Sequence, residues 1–179
     1  METRIILVPY DSGHCRKRMG NGPDRILDHG LKDLLNEIGI RFDSNEIQLE
    51  NPFPTEISAA FELGRKISAR MRDCHDQGKL PIILSGNCNA AVGTVSGCGP
   101  TQTGVVWFDA HGEANPPATT RSGFLDGMPI STLVGRAWQT LAKTVPGLRR
   151  FRATASYCLA PASLIGQSPL CWMRLACGA

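Results

Sequence analysis

Acidic residues run out early in this 179-residue chain: none follows Asp126, so residues 127–179 hold neither Asp nor Glu. Paired cysteines are missing as well. The seven cysteines, at 15, 74, 88, 98, 158, 171 and 177, are odd in number, scattered, and contain no C-x-x-C pair. That argues against a disulfide framework and for reduced thiols in a cytoplasmic protein. Long apolar runs are absent too. The opening METRIILVPY meets Pro9 and Asp11 too soon to make a secretory signal or a membrane span. Nor is charge of one sign concentrated: a net charge of +3 and a pI near 8.5 are too mild and too evenly spread to recruit nucleic acid. The densest basic cluster, Arg16-Lys17-Arg18, sits in a glycine-containing loop and reads as a solvated turn. No internal repeat is visible.

What remains is ordinary globular material. A hydrophobic content of 42% with 20% charged residues suits one soluble domain long enough to bury a sizeable core. Apolar runs alternate with helical periodicity through the first three-quarters. Arg4 to Val8 predicts a short buried strand. Gly22-Pro23 opens a helix whose Ile26, Leu27, Leu31, Leu34, Leu35 and Ile38 recur at helical spacing, with Gly39 as its C-terminal cap. A second strand is expected around Ile40 to Phe42, and Thr55 caps a long helix ending near Gly78. Leu80 to Leu84 predicts a third strand, Ala90 to Val95 a short helix, and Gly104 to Asp109 a fourth strand. Strands separated by helices imply an α/β fold with a parallel sheet covered on both faces.

In such sheets ligands bind beyond the carboxyl ends of the strands. Two unusual stretches fall there: SGNCN, Ser85 to Asn89, and DAHGE, Asp109 to Glu113. In extended backbone Asp109, His111 and Glu113 point to one side, because side chains alternate with period two. Two carboxylates and an imidazole make an O/N site suited to manganese, magnesium or zinc. The competing reading is a helix-capping Asp109 beside a loop histidine and a solvated glutamate.

The flanking residues bear on that choice. DAHGEANPPATTRSGFLDGMPIS, Asp109 to Ser131, resembles the second metal motif of the arginase branch of the ureohydrolases: D-A-H-x-D, then N-T-P, a Thr/Ser-rich stretch, S-G-N and H-G-x-P. SGNCNAAVGT stands at the place of that family's G-G-D-H-S, and the likeness runs from about Arg4 to Trp138. The resemblance implies a three-layer α/β/α sandwich with a parallel sheet. It also implies a hydrolase of guanidino compounds, of the class that converts arginine to ornithine and urea, using two Mn2+ ions per active site, and a homo-oligomer, trimeric or hexameric. By position, Asp109 is similar to the carboxylate bridging both ions and His111 to an imidazole ligand, and Glu113 stands for an aspartate. Asn115 and Ser122 match the residues that hold the α-carboxylate and α-amino end of the substrate. The partner implied is a small guanidino molecule, with neither nucleic acid nor membrane.

Three departures from the family pattern predict impaired activity. Cys88 replaces the first metal-binding histidine, and Asn87 the acid before it. A thiolate favours softer ions such as zinc over manganese; the alternative is a buried small hydrophobe with no ligand role. Asp126 replaces a histidine that shuttles protons, and an ionised Asp cannot donate one at pH 7 unless its pKa is raised. The later S-x-D-x-D ligand motif has no counterpart, since acids end at Asp126. A catalytically inactive, heteromer-forming or non-functional chain is the competing expectation. The expected division is therefore residues 1–150 as the N-terminal part of an arginase-like domain, with its C-terminal part missing, and residues 151–179 as an aberrant, frameshifted tail. That tail holds three of the seven cysteines and no clean period. Reading Tyr157 to Ile165 two bases out of register permits L-L-G-A-R-V-L-D, a string similar to the family's next strand and turn.

Overall fold

The computed structural model describes residues 2–50, 55–99, 104–109 and 111–149; the expected tail lies outside them. In chain order come strand β1 (Glu2–Val8), a small hairpin of β2 (Tyr10–Asp11) and β3 (His14–Cys15), helix α1 (Gly22–Ile26), helix α2 (Lys32–Glu37) and strand β4 (Arg41–Glu46). Helix α3 (Glu56–Asp76), strand β5 (Lys79–Ser85), helix α4 (Ala90–Gly97) and two short helices, α5 (Pro129–Leu133) and α6 (Gln139–Ala142), follow. No helix among the described residues is long and apolar enough to cross a membrane.

The sheet is parallel, in the order β4-β1-β5. β1 is its centre because IILV is buried on both faces: Ile5, Ile6, Leu7 and Val8 are all in the core. Alternation sends Ile5 and Leu7 toward Leu27 and Leu35 on one side. It sends Ile6 and Val8 toward Leu63, Ile67, Met71 and Cys74 of α3 on the other. Helices thus cover both faces, which is the expected three-layer arrangement. Burying each such side chain contributes about 1.5–3 kcal/mol. At the amino ends of the strands, Asp43 of β4 accepts from Arg4 of β1 at 2.7 Å and Lys79 of β5 at 2.6 Å, tying all three strands together.

Helix α3 starts where the sequence predicts. Thr55 Oγ1 accepts the Ser58 N–H at 3.1 Å and Ser58 Oγ accepts the Thr55 N–H at 3.3 Å, a reciprocal capping box. Against it lies α4, so close that its glycines have no room for a methyl. A Cβ on Gly93 would fall 2.5 Å from the Gly64 carbonyl oxygen and 2.8 Å from Ile67 Cβ. Phe61, Val92, Ala142 and Val145 form a third cluster, bringing α6 and the residues after it onto the same pair of helices.

Two expectations need correction. The single helix expected from Gly22 to Ile38 is broken: Gly30 has φ 112°, with a wide turn over Leu27–Leu31 between α1 and α2. Gly30 permits this conformation without steric cost, and the break turns Ile26, Leu34 and Ile38 outward, each more than half exposed. The fourth strand does not form over Gly104 to Asp109 either; only Trp107 makes an isolated bridge. Val106 and Phe108 are 77% and 79% exposed. An apolar run becomes a buried strand only when neighbours cover it, and among the described residues nothing covers these two.

Candidate metal centre

Beyond the carboxyl ends of β1 and β5 three loops converge, one after each strand and one after Phe108. Gly86 makes the approach possible. A Cβ there would sit 2.5 Å from the Tyr10 carbonyl oxygen and 2.7 Å from the Gly20 nitrogen, so backbone packs directly on backbone. This places Cys88, at the foot of α4, against the DAHGE segment. Cys88 Sγ donates to Asp109 Oδ2 at 3.5 Å, and ligand atoms of Cys88, Asp109 and Glu113 all lie within 4.8 Å of one another. His111 Nδ1 is 3.4 Å from Asp109 Oδ1 and 3.7 Å from Glu113 Oε1, on a side chain 63% exposed.

The convergence does not come from extended alternation, as the sequence reading had it. Asp109 Oδ1 accepts the His111 N–H at 3.0 Å, a local turn, and Glu113 adopts φ 45°. That left-handed backbone costs about 1–2 kcal/mol for a residue with a Cβ. It is held by the Ile130 N–H, which donates to the Glu113 carbonyl at 2.9 Å, and by the Asn115 N–H to the Gly127 carbonyl at 3.0 Å.

Burial and like charge dominate the electrostatics. Glu113 is pushed up to about 7, first by burial and then by Asp109, with His111 opposing and Asp126 adding. The Cys88 thiol is pushed up to about 12, again by burial first and then by Asp126, Asp109 and Glu113. Glu113 Oε2 is buried with no hydrogen-bond partner among the described residues. A pocket that raises the Glu113 and Cys88 pKa values and leaves a buried carboxylate oxygen unpartnered among the described residues has the character of a cation site, since a bound cation reverses these penalties. One thiol, two carboxylates and a neighbouring imidazole match the donor types of a four-coordinate site.

The remaining expected residues divide. Asp126 is drawn in, but as an acceptor: Asn87 Nδ2 donates to Oδ2 at 2.5 Å and the Asn89 N–H to Oδ1 at 3.1 Å. Burial, as its largest cause, raises its pKa above the ordinary carboxylate value. Asn115 lies near Glu113 across Gly127, where a Cβ would stand 3.7 Å from Asn115 Nδ2 and 3.8 Å from Glu113 Oε2. Ser122 is on the exposed loop, its Oγ accepting the Phe124 N–H at 3.2 Å. Sequence reasoning does not single out Asp11, a buried carboxylate bonded to Asn87; its signal is an acid shortly after the apolar run Ile5–Val8.

The sequence model of the arginase family matches residues 1–164. Relatives include the arginase of Brevibacillus brevis, 30% identical over 147 residues that cover 76% of this chain and 49% of that protein. The hepatic arginase of Aquarana catesbeiana is 30% identical over 156 residues, covering 80% and 47%. Among solved structures, arginase from Bacillus cereus superimposes with a TM-score of 0.77 at 24% identity, over 88% of this chain and 56% of that one. Entamoeba histolytica arginase in complex with L-ornithine gives 0.71 at 24% identity, over 83% and 54%. The chain spans about half the length of the curated relatives it matches, and over that half it belongs to the arginase family.

Proposed function

We propose that this chain carries the first half of an arginase-type centre: a metal-dependent hydrolase site for guanidino compounds, of the arginine-to-ornithine class, working below the rate of a complete member. The observation that carries this reading is the gathering of ligand atoms of Cys88, Asp109 and Glu113 within 4.8 Å of one another, beside a Glu113 Oε2 that is buried and unpartnered among the described residues. Asp109, His111, Glu113 and Cys88 would hold one divalent cation. The Cys88 thiolate shifts preference from manganese toward zinc. When bound, the cation supplies Lewis-acid activation of water at neutral pH.

The chain's own residues do the rest. Asp109 and Glu113 bring negative charge to the site and would attract the cationic guanidinium as well as the metal. Asn115 would accept from or donate to the polar end of a substrate approaching over Gly127, with Ser122 further out on the same loop. Asp126 holds the loop carrying Cys88 and is engaged by two donors, so proton transfer is a secondary role for it. The test is urea release from arginine with zinc and with manganese, beside metal analysis of the purified chain. Urea release that depends on Asp109 supports the reading, and its absence with both metals refutes the enzymatic part.

One observation favours a second reading, an inactive chain that pairs with another arginase-family subunit. Exposed Val106 and Phe108 form an apolar surface of the kind that marks association sites. Mixing with an intact family member and following mass by light scattering separates the two.

A further inference from the structure

Asn87 is not among the metal donors, yet its side chain is the hub of the polar contacts beneath them. Its Nδ2 donates to Asp126 Oδ2 at 2.5 Å and to Asp11 Oδ1 at 3.4 Å, while its Oδ1 accepts the Ser12 N–H at 2.9 Å. These partners fix the amide orientation, because the flipped form would set an oxygen against two carboxylates and an NH2 against an N–H. Each carboxylate is also anchored elsewhere. Asp11 Oδ2 faces Arg18 Nε at 2.9 Å and the Met19 N–H at 3.4 Å. Asp126 Oδ1 also accepts the backbone N–H of Asn89 at 3.1 Å. One neutral amide therefore bridges two carboxylates and joins the loop after β1, the loop after β5 and the turn before α5.

We propose that Asn87 is the positioning residue of the metal centre, an amide keyed between Asp11 and Asp126 that holds Cys88 in register with Asp109 and Glu113. This rests on reading those three residues as metal donors. The geometry sets a rule for the pair. Only a donor at 87 is compatible with an acid at 126, since a carboxylate at 87 would put like charges at hydrogen-bond distance and remove both donated bonds. This chain, with an amide at 87 and an acid at 126, obeys that rule. Positions 87 and 126 are coupled.

Zinc affinity, measured by competition with a chromophoric chelator, tests this in the full chain and in Asn87→Ala, Asn87→Asp, Asp126→Asn and the Asn87→Asp/Asp126→Asn double variant. Melting temperatures in EDTA report folding of each. Removing the partner of a loop that carries a metal ligand typically costs 10–100-fold in affinity, so Asn87→Ala should lose about tenfold and Asn87→Asp more. The double variant, with amide and carboxylate exchanged, should bind more tightly than Asn87→Asp alone, a recovery that a merely structural role does not predict. If Asn87→Asp fails to fold, Asn87→Ala, which adds no charge, still decides the matter. Unchanged zinc affinity in a folded Asn87→Ala overturns the positioning role and leaves the metal reading standing; so does a double variant no better than Asn87→Asp. No zinc binding by the unaltered chain overturns the metal reading, and this proposal with it.

Discussion

Gly64 and Gly93 face each other across the α3–α4 contact, and replacing each with alanine should shift stability in opposite directions. At Gly93 the added Cβ meets the Gly64 carbonyl oxygen at 2.5 Å, Ile67 Cβ at 2.8 Å and Gly64 Cα at 2.9 Å. These are backbone atoms and a side-chain stem, not the loose end of a long side chain, so the helices must separate by about 0.5 Å or more before the contact becomes tolerable. Overpacking of this kind costs about 1–3 kcal/mol, and the helix-propensity gain of Gly to Ala returns about 1 kcal/mol. A net loss of about 1–2 kcal/mol, the upper part of that difference, is expected because the obstacle is backbone. At Gly64 the new Cβ meets only Val145 Cγ2 at 3.5 Å and the Gly93 nitrogen at 4.0 Å, which is ordinary contact. The propensity gain then stands alone, and Gly64→Ala should be neutral or stabilising by up to about 1 kcal/mol. Urea unfolding followed by circular dichroism reads both. With a slope of about 1–3 kcal/mol per molar, the Gly93→Ala midpoint should fall by roughly 1 M while that of Gly64→Ala holds or rises. A Gly93→Ala chain as stable as the unaltered one would show that the helices lie further apart than described and refute the argument.

Metal analysis after equilibration with excess zinc or manganese should find at most one ion per chain, lost in Asp109→Ala; two manganese ions per chain would sink the single-site assignment. Cys88→Ser should weaken zinc more than manganese, because it exchanges a soft donor for a hard one, and parallel titrations with the two metals measure this. Urea release from arginine should fall far below an ordinary turnover of about 10 per second, and a rate at that level would refute the reading of impaired activity. At the far end of the sheet, Arg4 foremost and then Lys79 hold the Asp43 carboxyl well below its usual range. A depressed pKa stabilises the fold above the unfolded value, near 4, and that contribution is lost as pH falls below it. Asp43 is 43% exposed, so Asp43→Asn should cost only about 0.5–1 kcal/mol at pH 7. It should also flatten the stability profile below about pH 4, which acid titration of the melting temperature checks.

How far the fold could be read from the chain depended on whether each element is specified locally. Helix α3 could be read to within a residue or two, because Thr55 caps it and Gly78, at φ 64°, ends it. Strands β1 and β5 were visible as apolar runs. Strand β4 was anticipated only as Ile40 to Phe42 but reaches Glu46. Its Asp43, Ser44 and Asn45 are polar because it lies at the sheet edge, and their pairing with β1 is set by partners distant in sequence. The Gly104–Asp109 run failed in the opposite sense, since its apolar character says that it needs cover without supplying any. At the site, DAHGE predicts Asp109, His111 and Glu113 as neighbours, and their side chains do lie side by side in the fold. The bridge from Asn87 to Asp11 and Asp126 could not be read, because it joins residues 76 and 39 positions apart.

The exposed segment that leads into Asp109 has a thermodynamic consequence. Val106 and Phe108 lie directly upstream of Asp109, the first candidate metal donor, on the same stretch of backbone, and no layer of the described fold steadies them. Any surface that docks there, whether another subunit or a chaperone, restricts the backbone that must also be ordered when Asp109, His111 and Glu113 close on a cation. The ordering cost is then shared between two events, so each lowers what the other must meet. Reciprocity would follow if both bind: a partner on Phe108 would tighten the metal, and the metal would tighten the partner by the same factor.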